Sequence, residues 1–146
     1  MKKGFTAGAF DLFHIGHARM FKECKTVCDY LIIGLQTDPT LDRAYKNKPT
    51  QSLEERKEVL EAIKYIDEVI IYNTEADLHD ILKTLDIDIR IIGEDWKGKE
   101  YTGHELPIEM YFNSRNHTYS TASLRRRVYE EEKKKNIKNK KPHKTE

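Results

Sequence analysis

The residues best suited to chemistry form a short motif near the start of the chain, in which two histidines flank a glycine. His14 and His17 are three residues apart where a helical pattern begins, so both side chains are expected on one side of its first turn. A helix start adds unpaired N–H groups and partial positive charge. Gly16 lets the backbone approach a bound group closely. Together these features favour the binding of a polyphosphate.

Histidines and cysteines also raise the question of a metal site. The motif does not predict a zinc site, because no third and fourth ligands lie nearby in the sequence. Cys24 and Cys28 are four apart in a helical pattern and likewise lack further ligands. We interpret them as free thiols in a reducing cytosol, so the predicted location is cytoplasmic and no metal held by protein ligands is expected.

The composition fits one domain of 146 residues, of which 38% are hydrophobic and 35% charged. The opening residues predict a first strand rather than a signal peptide, and no apolar run is long enough to span a membrane. A net charge of +1 gives no case for nucleic acid as a partner. The basic segment at the end is the exception, and we predict a domain over 1–131 followed by a flexible tail over 132–146.

Strand and helix patterns alternate around the histidine motif. Nearly continuous apolar runs predict strands covered on both faces, and stripes with a helical period predict the helices between them. Ser52 and Glu55 match a capping box and predict a helix start. The alternation is typical of a Rossmann-like α/β fold, a parallel sheet of about five strands with helices on both faces. The predicted strands are 4–10, 30–38, 67–72, 89–93 and 108–112, and residues 38–52 are predicted to form a loop. Four helices are predicted: one after the first strand, one that begins at residue 52, one over 76–85 and one that begins at residue 120.

Ligands of such folds bind beyond the carboxyl ends of the strands. The first strand ends near Ala9 and Phe10, so the histidine motif falls at this edge. Asp95 and Trp96 follow the fourth strand and fall at the same edge. The sequence therefore predicts one ligand site there.

The stretch GAFDLFHIGHARMF resembles the first signature of the HxGH nucleotidylyltransferase superfamily. Within it the chain is similar to the cytidylyltransferase family, over about residues 3–128. The likeness includes DYLIIGLQTD, EERKEVLEAIKYIDEVI and IIGEDWKGK. The segment RNHTYSTA, which begins at Arg115, resembles the second signature. Two signatures in the correct order are far more specific than HxGH alone.

This resemblance implies a nucleotidyltransferase that moves CMP from CTP to a small alcohol phosphate. Glycerol 3-phosphate is the expected acceptor, and CDP-glycerol and pyrophosphate are the expected products. The acceptor oxygen would attack the α-phosphorus in line, without a covalent enzyme intermediate. Mg²⁺ is expected to bridge the triphosphate, and a homodimer is expected.

The resemblance also implies roles for individual residues. The two histidines and two loop lysines, Lys46 and Lys48, are the expected catalytic residues. Arg56 is an expected substrate contact, although an ion pair with a neighbouring glutamate is an equal alternative. The nucleotide-binding set is Ala9, Phe10, His14, Gly16, His17, Lys48, Asp95, Arg115, Tyr119, Ser120 and Thr121, and the substrate-binding set is Asp11, Lys46, Arg56 and Trp96.

Three features depart from the family pattern. Leu78, with His79 beside it, stands where the family has a substrate lysine. Thr118 and Tyr119 stand where a glycine and an isoleucine usually precede the Ser-Thr pair. Segment 97–107 is particular to this chain and is a candidate lid or acceptor site.

Alternative functions of the same architecture stay open. One is an adenylyltransferase acting on a sugar phosphate. Another is a phosphoethanolamine or phosphocholine cytidylyltransferase. A choline enzyme would need an aromatic cage, and the tyrosines that could form one are Tyr101, Tyr111 and Tyr119. A third alternative is a nucleotide-binding protein without catalysis.

Overall fold

The structure is a computed structural model that describes residues 1–139. Strands and helices alternate along the chain, with two short 3-10 turns at Pro39–Leu41 and Glu94–Trp96. In chain order the elements are β1 (Lys3–Gly8), α1 (Ile15–Cys24), β2 (Tyr30–Gln36), α2 (Leu53–Glu61), β3 (Glu68–Tyr72), α3 (Glu75–Thr84), β4 (Ile89–Gly93), β5 (Glu109–Asn113) and α4 (Thr121–Asn139).

The five strands form one parallel sheet in the order β3-β2-β1-β4-β5. The chain proceeds outward from β1 to β3 and then crosses to β4 on the other side of β1. The strand order therefore reverses between β1 and β4, which is where open α/β sheets bind ligands. The predicted fold class is confirmed.

Each face of the sheet buries its own apolar cluster. On one face, residues of α1 and α2 such as Phe21 and Leu60 pack on Ile33 and Ile91. On the other face, α3 packs Leu78 and its neighbours against Phe5. Strands covered on both sides explain why their sequences are nearly continuous apolar runs.

The predicted elements agree with the structure to within a few residues. The first strand ends at Gly8 rather than residue 10, and the predicted loop over 38–52 contains one 3-10 turn. Ser52 caps α2 with the predicted capping box, because its hydroxyl accepts from the N–H of Glu55 and that carboxylate accepts from the N–H of Ser52.

Helix α4 runs without interruption to Asn139 and has no buried residue. It therefore crosses the predicted boundary between 131 and 132, and residues 132–139 extend it into solvent. Residues 140–146 of the predicted tail lie outside the described residues, so the flexible tail stays a prediction. Within residues 1–139, no helix combines the length and apolar character needed to cross a membrane.

The corner between β1 and α1 has an unusual backbone. Phe10 and Leu12 have φ angles of 49° and 50°, a left-handed conformation that costs about 1–3 kcal/mol for residues other than glycine. The intervening Asp11 carboxylate accepts from the N–H groups of Thr50 and Gln51, both at 2.9 Å. The Gln51 side chain in turn accepts from the N–H of Leu12 at 2.8 Å. The segment before α2 thus holds the corner in place.

Arg56 of α2 also stabilises this corner through hydrogen bonds to backbone carbonyls. The side chain is 2% exposed, and its guanidinium donates to the carbonyls of Ala9 (2.9 Å), Gln36 (2.7 Å) and Thr37 (2.7 Å) and to that of Gln51 (3.2 Å). Its nitrogens are therefore occupied by backbone oxygens at the carboxyl ends of β1 and β2. The alternative of a surface ion pair is therefore wrong, because the side chain is buried and bonds to backbone carbonyls, whereas the substrate contact stays a prediction.

Replacing Arg56 by Gln should lower the free energy of unfolding by about 3 kcal/mol, because several buried carbonyls lose a charged donor. Urea denaturation monitored by circular dichroism measures this loss. Lys57→Gln on the same helix is the matched control, since Lys57 is partly exposed and its pair with Glu61 is 3.9 Å long, and it should change stability by less than about 0.5 kcal/mol. Equal effects of the two changes would contradict the structural role.

Candidate active site

The two histidines of the motif are fixed by hydrogen bonds to the start of α1. His14 is the N-cap residue, and its Nδ1 accepts from the N–H of Gly16 at 3.0 Å. The N–H of His14 donates to Nδ1 of His17 at 3.2 Å. Because each Nδ1 is an acceptor, each neutral ring carries its proton on Nε2. The rings stack with centroids 3.9 Å apart.

Gly16 is required by this arrangement. A Cβ at this position would lie 2.7 Å from Cε1 of His14, so any larger residue would push the capping ring away. The close approach of the ring to the backbone thus explains the glycine between the histidines.

Burial keeps both histidines neutral. The pKa of His17 is lowered to about 3, first by burial, then by electrostatic repulsion between its protonated form and His14 and Arg115, although Asp11 opposes the shift. Burial also lowers the pKa of His14, and His117 adds to this effect. Two neutral Nε2–H donors are therefore available at pH 7, and neither ring is suited to act as a base through Nε2.

The start of α4 meets the start of α1 at this site. Nε2 of His14 lies 3.3 Å from Oγ1 of Thr121, which itself donates to the carbonyl of Asp11 at 3.2 Å. The Ser120 hydroxyl caps the helix by accepting from the N–H of Ser123 at 3.0 Å. The N-termini of α1 and α4 thus point at the same region of the site, and this arrangement favours the binding of an anion.

These groups line a cleft of about 630 Å³ at the carboxyl edge of the sheet. The cleft brings together most of the residues that the sequence predicted for the site. The predicted residues that line it are Ala9, Phe10, His14, Gly16, His17, Lys46, Trp96, Arg115, Tyr119, Ser120 and Thr121.

Four predicted residues do not line the cleft. Arg56 is buried beneath the corner, and the Asp11 carboxylate is occupied by two backbone N–H groups and by Arg125 at 3.8 Å. In this structure both side chains bind the backbone that supports the site. Lys48 is exposed outside the cleft. Asp95 lies at the rim, where it pairs with Nε of Arg115 at 3.5 Å and so orients a residue that does line the cleft.

The cleft also contains residues that the sequence analysis missed. Arg90 lies inside the apolar strand β4, and a charge within such a run was a signal that could have revealed it. Asn113 ends β5, and among the described residues nothing donates to its buried Oδ1. Segment 97–107, already named as a candidate lid or acceptor site, contributes Tyr101 and Thr102. Other lining residues not predicted are Thr6, Ala7, Gly8, Met20, Gln36, Pro39, Arg43, Tyr45, Tyr72, Glu75, Leu78, Ile92, Gly93, Glu100 and His117.

Comparison with known proteins identifies the family of the chain. The profile of the cytidylyltransferase-like family matches residues 5–137. The chain belongs to the cytidylyltransferase-like family. A glycerol-3-phosphate cytidylyltransferase from Bacillus spizizenii is 47% identical over 68% of this chain and 76% of its own. One from Staphylococcus aureus is 32% identical over 88% of this chain and 96% of its own. The predicted family and enzyme class are therefore confirmed.

A solved structure supports the fold. The lipopolysaccharide core biosynthesis protein from Thermoplasma volcanium superposes with a TM-score of 0.64 and covers 82% of this chain and 99% of its own. Its sequence identity is 22%, so this likeness concerns the fold alone.

The departure from the cytidylyltransferase pattern in α3 has structural consequences. Leu78 lines the cleft and is 3% exposed, so no cation comes from this position. His79 beside it does not line the cleft, and its Nε2 contacts Glu105 at 2.8 Å. The positive charge on this side of the cleft therefore comes from other elements.

The lowered pKa of His17 predicts a pH dependence of stability. Between pH 6.5 and about 3 the unfolded chain binds a proton at this residue and the folded chain does not, so stability falls as the pH falls. When the pH falls from 7 to 5, the free energy of unfolding of the wild type should decrease by about 2 kcal/mol more than that of His17→Ala. Urea titrations at both pH values measure the difference.

The exposed His104 provides the control for this measurement. His104→Ala should lose stability in parallel with wild type over the same interval. If His17→Ala also ran parallel to wild type, the buried neutral histidine would be contradicted.

Proposed function

We propose that the protein transfers CMP from CTP to glycerol 3-phosphate and releases CDP-glycerol and pyrophosphate. The observation that carries the proposal is the meeting of two helix N-termini with two neutral Nε2–H donors in one cleft. This donor set suits a polyphosphate that must be oriented and stabilised. The names of the relatives from Bacillus spizizenii and Staphylococcus aureus support the choice of CTP and glycerol 3-phosphate.

The reaction needs positioning more than proton transfer. The acceptor phosphate is largely ionised at pH 7, since its second pKa is about 6. One of its oxygens attacks the α-phosphorus of CTP, the new P–O bond forms, and the bond to the bridging oxygen breaks as pyrophosphate leaves. The histidines donate from Nε2 to the α-phosphate as its charge changes, and the start of α4 holds the β- and γ-phosphates.

Lys46 and Arg115 supply positive charge on either side of this arrangement. Both line the cleft, and Asp95 fixes Arg115 at the rim. We infer that Lys46 neutralises phosphate charge, whereas Lys48 has a secondary role because it lies outside the cleft. The described residues offer no group of three side chains able to hold a metal, so Mg²⁺ would enter as part of the Mg·CTP substrate.

A phosphocholine acceptor is disfavoured by the tyrosines. Tyr111 does not line the cleft, and its hydroxyl donates to Glu23 at 2.8 Å. The ring of Tyr101 already faces the guanidinium of Arg90 at 5.2 Å. Tyr119 alone cannot form a cage for a quaternary ammonium.

The expected homodimer and cytoplasmic location are also part of this proposal. Two small apolar clusters form the core, and association would stabilise so small a domain. Both cysteines are free thiols in the structure, which suits a reducing compartment.

Pyrophosphate release measured with CTP or ATP against a panel of phosphorylated alcohols tests the proposed function. CTP with glycerol 3-phosphate should be the fastest pair, and His17→Ala should lower its turnover at least about a hundredfold, the scale for one preorganised donor. His104→Ala is the matched control and should retain wild-type turnover. Faster release from ATP, or none with glycerol 3-phosphate, would refute the assignment, and nucleotide binding without release would indicate a sensor.

A further inference from the structure

A buried arginine of the cleft has no carboxylate in direct contact. Arg90 is 5% exposed, and among residues 1–139 the carboxylate of Glu75 acts on its charge only through space, without a salt bridge. Its Nη1 donates to the carbonyl of Thr102, and the guanidinium faces the ring of Tyr101. Burying a charge without a counterion in direct contact is costly. A chain that keeps such a charge in a ligand cleft therefore offers it to an anion.

A second arginine lines the same cleft with an unused donor. Nε of Arg43 is buried, and nothing in the described part of the chain accepts its proton. Its Nη2 lies 3.7 Å from Glu75. That carboxylate also accepts from the hydroxyl of Thr102 at 3.0 Å and from the amide of Gln36 at 3.5 Å. The Glu75 carboxylate is therefore shared by Arg43 and Arg90. These three side chains, which we call the cluster, together keep a net positive charge.

The cluster is placed away from the histidines but within the same cleft. Arg90 pairs in register with Phe5, three residues before the carboxyl end of β1 at Gly8. Its side chain leaves the sheet on the face covered by α3, where Leu78 offers no cation. The cleft therefore has a positive region separate from the helix N-termini. A bound CTP at those N-termini would leave this region to the second substrate.

We propose that Arg43 and Arg90 form an anion subsite that binds the phosphate of the acceptor. The identity of that acceptor rests on the proposed function, whereas the anion subsite rests on the two arginines. Arg90 supplies planar paired donors, which match two phosphate oxygens. Arg43 closes over the phosphate from the loop after β2. The two arginines then determine acceptor affinity without contributing to the affinity for CTP.

Calorimetric titration of glycerol 3-phosphate tests the subsite, with the nucleotide site filled by α,β-methylene-CTP so that no reaction occurs. Arg90→Gln should weaken binding of glycerol 3-phosphate at least about tenfold, Arg43→Gln about fivefold, and Arg90→Lys by an intermediate factor. The KM for glycerol 3-phosphate should rise in parallel while the KM for CTP stays within about twofold. Arg127→Gln, an exposed arginine of α4, is the matched control and should match wild type.

Unchanged acceptor binding in a folded Arg90→Gln or Arg43→Gln variant would overturn the proposal, and so would an equal loss of affinity for CTP. Arg43 is only partly buried, so its variant decides the matter if Arg90→Gln does not fold. Wild type that fails to bind glycerol 3-phosphate would refute the proposed function instead. Titration with inorganic phosphate then tests the subsite alone: loss of phosphate binding in the arginine variants supports it, and unchanged binding overturns it.

Discussion

The corner that joins β1 to α1 holds its left-handed backbone only because distant segments bind it. Asp11 receives two N–H groups from the segment before α2, and its carbonyl receives the hydroxyl of Thr121 at the start of α4. Arg56 holds the carbonyls beneath it. One strained turn thereby fixes the relative positions of β1, α2 and α4, and it places the cap of α1 opposite the cap of α4. The geometry of the proposed phosphate site follows from this turn.

The chemistry of the site depends on the partial burial of the two histidines at the start of α1. Phe10 and Phe13 pack around His17, and burial removes its charge at neutral pH. A neutral Nε2–H donor held in a fixed direction is preorganised for a phosphate and needs no reorientation when the ligand reacts. Positive charge is supplied at the edges of the cleft by side chains such as Lys46 and Arg115, where it remains partly solvated.

Local patterns predicted what depends on local interactions. The capping box at Ser52, the apolar strands and the pair of histidines before α1 all follow from residues within one turn or one strand. The roles of Asp11 and Arg56 could not be predicted, because their partners lie on other elements and exist only after folding. Arg90 was overlooked because a single charge inside an apolar strand is ambiguous until the adjoining loop is in place.

The central claim is that the site positions two substrates for one direct displacement at the α-phosphorus. CTP carrying sulfur in place of one non-bridging α-oxygen, in a single configuration, tests this claim most directly when it reacts with glycerol 3-phosphate. The configuration of the CDP-glycerol product can be assigned by phosphorus NMR against standards. A single in-line step predicts inversion at phosphorus. Retention would show two displacements through a covalent enzyme intermediate and would contradict the account.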